Sequence, residues 1–276
     1  MEDFIKLRRL GKSKLMVSPI GLGCWQFSKG KGMIGKFWPN LPNDDITEIV
    51  KVNIERGVNW FDTAEVYGWG ESEKALSRAL KNLGKNSNDV IIATKWSPTF
   101  KTASSILKTI DTRLGMLNGY RIDLYQVHHP YSFSSLRSEM RAMAELVKDK
   151  KIRYVGVSNF SAEKMKIAKD ELSKYDIDLI SNQVVYSLVN RKIETNGILE
   201  TAKELGISII AYSPLAQGLL TGKIHDNPGI LKTKPGLRKH QKAFKQKGLK
   251  ISLPVIELLK EFAEKCNVTP AQVALN

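Results

Sequence analysis

The sequence predicts a (β/α)8 barrel of the TIM type, in which parallel strands alternate with helices. Short apolar runs alternate with amphipathic segments from residue 20 to residue 212, without a linker or a change of composition. Such alternation is typical of a parallel sheet within one domain, here residues 1–276. Three successive runs also end in a titratable residue, namely Asp62, Lys95 and His128. Titratable groups at strand carboxyl ends are typical of the catalytic face of such a barrel.

The chain is expected to begin with a β-hairpin over residues 4–17, where two extended runs flank a Gly-Lys-Ser turn. The first barrel strand is predicted at residues 20–25. Its Gly21 and Gly23 suggest a dinucleotide fingerprint, but Gln26 follows and no acid-ended second strand comes at the expected distance. A Rossmann domain is therefore disfavoured.

The remaining elements are predicted from hydrophobic periodicity and from glycine stops. The further strands are predicted at residues 58–62, 90–95, 122–128, 152–157, 179–185 and 207–212. The helices between them are predicted at residues 44–56, 71–83, 104–117, 136–150, 162–172 and 194–205. Residues 222–252 are too polar for a core and are interpreted as a long basic loop with some helix. An amphipathic helix over 253–266 follows, and another opens at Thr269-Pro270.

Only seven barrel strands are predicted along the 276 residues. Seven parallel strands leave two unpaired edges, which costs backbone hydrogen bonds and favours association with another chain. We therefore expect the domain to be incomplete at its carboxyl end or to be completed by another chain, which makes an oligomer possible.

Several motifs resemble the aldo-keto reductase family. They are Phe61-Asp62-Thr63-Ala64 with Tyr67-Gly68, Thr94-Lys95, Asp123-Leu124-Tyr125-Gln126 with His128, and Gly156-Val157-Ser158-Asn159-Phe160. Their order and spacing agree with the family along nearly the whole chain. The resemblance implies a barrel whose floor is plugged by the hairpin, and hydride transfer between NADP(H) and an aldehyde or ketone. It also implies a further strand and adenosine-binding residues beyond residue 276.

The candidate catalytic residues are Tyr67, Asp62, Lys95 and His128. A tyrosine pKa near 10 is too high for ready proton donation at neutral pH, so a general acid of this type needs a nearby cation. The resemblance gives that role to Lys95, with Asp62 holding its ammonium charged and in place. It also implies that His128 orients the substrate carbonyl.

Each of these residues has a structural alternative. Asp62 alone could be a cap or a turn residue, and Tyr67 alone could be an aromatic residue at a rim. His128 and His129 could form a metal pair, but adjacent strand residues point apart and no third ligand is evident, so no metal site is predicted. Their joint occurrence at three strand ends favours an active site.

The resemblance also implies a cofactor site. Its candidate residues are Trp25, Ser158, Asn159, Gln183, Tyr212, Ser213, Pro214, Leu215, Gln217, Gly218, Lys223 and Arg238. The hydroxyl of Ser158 and the amides of Asn159 and Gln183 suit the carboxamide of a nicotinamide, and the Tyr212 ring would stack on the nicotinamide. Residues 213–218 would present backbone N–H groups to the pyrophosphate. Lys223 and Arg238 could reach phosphates. Alternatively, residues 156–160 form a plain turn, and Tyr212 and Trp25 pack in the core.

The charge balance raises a second class of partner. The chain has 43 Lys and Arg against 28 Asp and Glu, a formal net charge of +15, and clustered cations can bind nucleic acid. Lysines and glutamates interleave along most helices and no nucleic-acid motif appears, so a solvated surface is favoured. The excess concentrates in residues 223–250, where Asp226 is the only acid. That loop could attract an anionic dinucleotide.

No signal peptide or membrane span is predicted, and the two cysteines, Cys24 and Cys266, match no disulfide framework. We therefore expect a cytoplasmic protein.

The favoured function is an NADPH-dependent aldo-keto reductase. Its substrate is expected to be a small or partly aromatic carbonyl, because the predicted loop at 28–42 carries Phe37 and Trp38. The alternatives are an inactive truncated reductase and a non-catalytic NADP-binding module similar to potassium-channel β subunits. His128 speaks against that module, since those subunits carry a different residue there.

Overall fold

The computed structural model describes residues 5–233 and 237–276. Its central sheet has seven parallel strands in chain order, bent into a nearly closed barrel. The strands are β3 (Leu22–Gly23), β4 (Trp60–Asp62), β5 (Ile91–Trp96), β6 (Ile122–Val127), β7 (Ile152–Ser158), β8 (Leu179–Val185) and β9 (Ser208–Tyr212). Before them, β1 (Arg8–Arg9) and β2 (Met16–Val17) pair antiparallel. The predicted barrel with an amino-terminal hairpin is confirmed.

Eleven α-helices are described, of which those between residues 43 and 205 pack against the outside of the sheet. The eleven helices are α1 (Gly32–Gly35), α2 (Asn43–Glu55), α3 (Glu71–Asn82), α4 (Ser104–Leu117), α5 (Leu136–Lys148), α6 (Ala162–Ser173), α7 (Ile198–Leu205), α8 (Lys223–Asp226), α9 (Ile230–Thr233), α10 (Gln246–Lys265) and α11 (Pro270–Leu275). Apolar side chains of the strands and helices pack together in the largest apolar core, which includes Phe61, Ile106 and Tyr125. No described helix is long and apolar enough to cross a membrane.

The hairpin packs against the barrel interior. Leu10, Leu15 and Val17 form one apolar cluster with Trp60 and Leu124 of the strands. The turn approaches β8 so closely that a Cβ at position 11 would lie 2.2 Å from the Ile180 carbonyl oxygen. Gly11 also has a φ of +54°, so only glycine fits this turn without strain. The hairpin thereby closes the end of the barrel opposite the strand carboxyl ends.

Three elements depart most clearly from the predicted boundaries, while most of the others shift by one or two residues. The first barrel strand contains only Leu22–Gly23, because residues 25–28 turn into a 3-10 helix. The predicted helix at 194–205 begins only at Ile198, and a separate 3-10 turn at Lys192–Glu194 precedes it. The side chain of Glu194 accepts hydrogen bonds from Arg191 and from the Tyr186 hydroxyl. Gly197, which has a φ of +81°, separates this turn from the helix.

The last difference concerns the basic segment at 222–252, which we call the excursion. It contains the short helices α8 and α9 and the 3-10 turns Leu237–His240 and Lys242–Phe244, and α10 begins inside it at Gln246. Helix α10 therefore starts earlier than predicted and runs through Pro254. A small apolar core of Leu219, Ile224, Leu231 and Phe244 supports the excursion.

A buried glutamate on α5 gives the fold a pH dependence. Glu139 is 2% exposed. Burial raises its pKa from 4.5 to about 7, against a hydrogen bond from Ser132 and the charge of Lys164. Because the folded chain then binds this proton more tightly than the unfolded chain, the free energy of unfolding should fall as the pH rises from about 4.5 through 7.

Glu139→Gln should lessen that fall. The variant is expected to exceed the original protein in stability by up to about 3 kcal/mol near pH 8, with a smaller gap near pH 5. Urea unfolding at both pH values measures the gap, and Glu145→Gln, at an exposed position of the same helix, is the control. A gap that is equal at both pH values would contradict the assignment.

Candidate active site

The predicted catalytic residues meet at the carboxyl ends of three neighbouring strands. Asp62 ends β4, Lys95 lies next to last in β5, and His128 directly follows β6. Tyr67 lies in the loop after β4. That loop packs against residue 28 so closely that a Cβ at Gly68, which has a φ of +69°, would lie 2.2 Å from the Ser28 carbonyl oxygen. The glycine after Tyr67 therefore allows the loop to fold over the barrel mouth.

Asp62 and Lys95 form a buried ion pair. The Lys95 Nζ lies 2.5 Å from Asp62 Oδ2 and donates a second hydrogen bond to the Thr63 carbonyl oxygen at 2.9 Å. The Lys95 side chain has no exposed surface and that of Asp62 is 13% exposed. The other carboxylate oxygen, Oδ1, accepts from the amides of Gln126 at 3.2 Å and Gln183 at 3.0 Å. Every oxygen of this buried charge is thus hydrogen-bonded, as burial requires.

Tyr67 lies directly beside this pair. The Lys95 ammonium is 5.2 Å from the centre of the Tyr67 ring. Burial raises the pKa of the Tyr67 hydroxyl and the charge of Lys95 opposes that rise, so the net direction is upward rather than downward as the sequence led us to expect. Burial by itself would lower the pKa of Lys95, but Asp62 and Tyr67 raise it on balance. Lys95 is therefore a permanent cation beside a protonated tyrosine.

Two histidines form the next part of the site. The His128 ring meets Tyr67 edge to face, with 5.8 Å between ring centres. Burial, then the charge of Lys95, holds the pKa of His128 well below its ordinary value, so the ring is neutral at pH 7. His129 stacks on His128 at 4.7 Å, which corrects the expectation that the two side chains point apart, because β6 has already ended at Val127. Among the described residues no group of three potential metal ligands occurs.

The polar residues of the candidate cofactor site also lie together. The Ser158 hydroxyl donates to the Gln183 carbonyl oxygen at 2.8 Å. The Asn159 amide donates to the His128 carbonyl oxygen at 3.1 Å, and its Oδ1 accepts from the Tyr212 hydroxyl at 3.1 Å. These bonds link the ends of β6, β7, β8 and β9 at one edge of the barrel.

A cavity of about 490 Å³ opens above these groups. Its lining includes ten of the predicted residues, which are Trp25, Asp62, Tyr67, His128, Ser158, Asn159, Gln183, Tyr212, Ser213 and Pro214. Trp38 and His129 add to the walls. Trp25 stacks on Phe37 at 4.8 Å and on Tyr67 at 5.9 Å. The cavity therefore combines an aromatic wall with a hydrogen-bonding wall over a buried cation.

The aldo/keto reductase family model matches residues 19–276. The chain belongs to this family. Its members are oxidoreductases that generally use a nicotinamide cofactor. The aldo-keto reductase YhdN of Bacillus subtilis is 32% identical over 90% of this chain and 72% of its own length. The L-glyceraldehyde 3-phosphate reductase of Escherichia coli is 28% identical over 99% of this chain and 80% of its own.

A solved structure agrees with this assignment. The glycerol dehydrogenase of Gluconobacter oxydans superposes with a TM-score of 0.80 at 28% identity, covering 96% of this chain and 80% of that enzyme. At this identity and coverage the shared barrel extends over nearly all of the chain.

Five predicted cofactor residues of this aldo/keto reductase do not line the cavity. They are Leu215, Gln217, Gly218, Lys223 and Arg238. Lys223 is exposed at the start of α8. The Arg238 guanidinium donates to the Gln217 carbonyl oxygen at 2.8 Å and lies between two rings, 5.1 Å from the centre of Trp38 and 5.6 Å from that of Phe244. In this conformation Arg238 fastens the excursion to the loop that carries Trp38.

The prediction did not include Gln126 or His129. Gln126 donates to Asp62 Oδ1, and the Asn159 amide nitrogen donates to the Nδ1 of His129 at 3.2 Å. The strand period could have indicated Gln126, because it lies two residues before His128 and so on the same face of the strand. His129 carried no such signal, since its direction depends on where β6 ends.

Proposed function

We propose that this chain reduces an aldehyde or ketone to an alcohol, reversibly, with NADP(H) as the hydride carrier and Tyr67 as the general acid. One observation carries the proposal: a buried Asp62–Lys95 pair lies beneath Tyr67 at the base of a cavity wide enough for a small ligand. A buried, fully hydrogen-bonded charge of this kind is costly to maintain and is typical of functional sites.

The protein's own residues supply the proton that the reduced carbonyl oxygen takes up. As a carbonyl oxygen gains negative charge it becomes far more basic than a tyrosinate, so even a tyrosine with a raised pKa can donate its proton. The tyrosinate that remains is stabilised by the Lys95 ammonium, and Asp62 keeps that ammonium charged and in place. His128, neutral and edge-on to Tyr67, is suited to donate a hydrogen bond that orients the substrate oxygen.

The residues around the cavity fit a nicotinamide. When bound, the cofactor supplies the hydride. Asn159 and Ser158 offer amide and hydroxyl groups for its carboxamide, Gln183 adds a further amide, and the Tyr212 ring forms an aromatic wall. Asn159 bonds to Tyr212 in this structure, so we expect that its amide exchanges this partner for the carboxamide.

Charge and shape support the preference for NADP(H) and the substrate class. The excursion has one acid against many lysines, which favours a dinucleotide with an additional phosphate. Trp25, Phe37 and Trp38 pack together at one side of the cavity and favour a small or partly aromatic carbonyl. Relatives whose names specify glyceraldehyde 3-phosphate and glycerol also support small substrates.

Tryptophan fluorescence tests cofactor binding directly. Titration with NADPH should quench the emission of Trp25 and Trp38 saturably at micromolar concentration, and NADH should bind more weakly. Trp69→Phe should leave the quenching in place, because Trp69 is 68% exposed and does not line the cavity. An absence of quenching by both cofactors would contradict the proposal, and equal affinity would remove the preference for NADPH.

A further inference from the structure

A second cavity lies within the excursion, apart from the candidate active site. Its volume is about 590 Å³, which is in the range of small-molecule sites. Leu231, Phe244 and Leu249 give it an apolar interior. The first two are buried and belong to the excursion's own apolar core, while Leu249 packs against that core. This side of the cavity is therefore a formed part of the fold.

Lysine and histidine side chains form much of the remaining lining, together with Pro228, Gln246 and Leu253. Lys239, His240 and Lys250 are exposed at the cavity, and none of the described aspartates or glutamates lines it. Within the described part of the chain neither lysine forms a salt bridge. The one acid of the excursion, Asp226, pairs instead with Lys260. Two unpaired lysines over an apolar interior are complementary to a ligand with an anionic head and an apolar tail.

This cavity is in contact with the candidate active site through Arg238. Phe244 lines the second cavity, Trp38 lines the first, and the Arg238 guanidinium lies over both rings. A ligand that moves Phe244 would therefore act on the contact that fastens the excursion to the loop over the site.

We propose that the excursion cavity binds a medium-chain aliphatic carboxylate, with its head at Lys239 and Lys250 and its tail against Leu231, Phe244 and Leu249. An aliphatic tail fits the side of the lining that Leu231, Phe244 and Leu249 form, and a carboxylate head fits the exposed lysines. His225, His240 and Gln246 also line the cavity, so a dinucleotide is the competing ligand, and adenosine 2′,5′-bisphosphate tests it. The proposal concerns binding and does not depend on the proposed catalytic function.

Isothermal titration calorimetry with decanoate tests the site on the whole chain. Decanoate should bind saturably at one site, whereas acetate, which lacks the tail, and decylammonium, which has the opposite charge, should bind far more weakly. The double variant Lys239→Gln/Lys250→Gln should lose about fivefold or more in decanoate affinity, as expected for two exposed charge pairs. The control is Lys108→Gln/Lys166→Gln, which removes the same charge from exposed positions of α4 and α6.

Several results would overturn the assignment. Equal decanoate affinity in the two double variants would mean that the excursion lysines do not hold the head group. Decylammonium that binds as well as decanoate would mean that only the apolar surface matters. Competition between decanoate and adenosine 2′,5′-bisphosphate would assign the cavity to the dinucleotide instead.

Discussion

Tyr67→Phe is expected to lower kcat/KM for carbonyl reduction by about 10²- to 10⁴-fold, the usual contribution of a general acid. The change removes only the hydroxyl that would donate the proton. The ring can still pack against Trp25 and His128, which it meets at 5.9 Å and 5.8 Å, so the cavity should keep its shape. NADPH affinity, measured by fluorescence quenching, should therefore change little.

Tyr175→Phe provides the matched control, since Tyr175 is 46% exposed and lies just after α6, away from the cavity. Its kcat/KM should equal that of the original protein. Retention of full activity by Tyr67→Phe would remove the tyrosine from the mechanism. Loss of cofactor binding together with activity would mean instead that the hydroxyl supports the pocket.

Lys95→Met should affect both stability and activity. The substitution leaves the Asp62 carboxylate buried without its cation, although the amides of Gln126 and Gln183 remain. Removal of one partner of a buried ion pair typically costs about 3–5 kcal/mol. We expect a loss of about 3 kcal/mol in the free energy of unfolding, measured with urea, and loss of reductase activity.

A second variant separates the two effects. In Lys95→Met/Asp62→Asn the orphaned charge is gone, so much of the lost stability should return while activity remains absent. Recovery of activity in the double variant would contradict the role given to Lys95. Equal stability of Lys95→Met and the original protein would show that the pair does not behave as a buried charge pair.

The pairing of Asp62 with Lys95 could be predicted from the sequence for a physical reason. A charged residue at the end of an apolar strand needs a partner, and parallel strands in register bring their ends together, so Asp62 and Lys95 could be paired in advance. The strand period also indicates Gln126, because this residue lies two positions before His128 and so on the same face of the strand. These features depend only on regular geometry that repeats along the chain.

The excursion could not be predicted in the same way. It has no sustained period, and α10 begins inside it at Gln246, seven residues before the predicted start of that helix. The position of Arg238 depends on how this irregular segment docks onto the loop with Trp38, which is decided by tertiary packing rather than by local pattern. The same holds for His129, whose ring direction depends on where β6 stops.

The hydrogen bonds of Asp62 also have a consequence for the order of folding. Its bond to Gln183 joins residues that are 121 positions apart, and its bond to Gln126 joins residues 64 apart. Contacts of such long range form slowly, because a large loop must close before they contribute. A nascent or partly folded chain would therefore lack the complete candidate site until β8 has joined the sheet, and the proposed activity should appear among the last events of refolding.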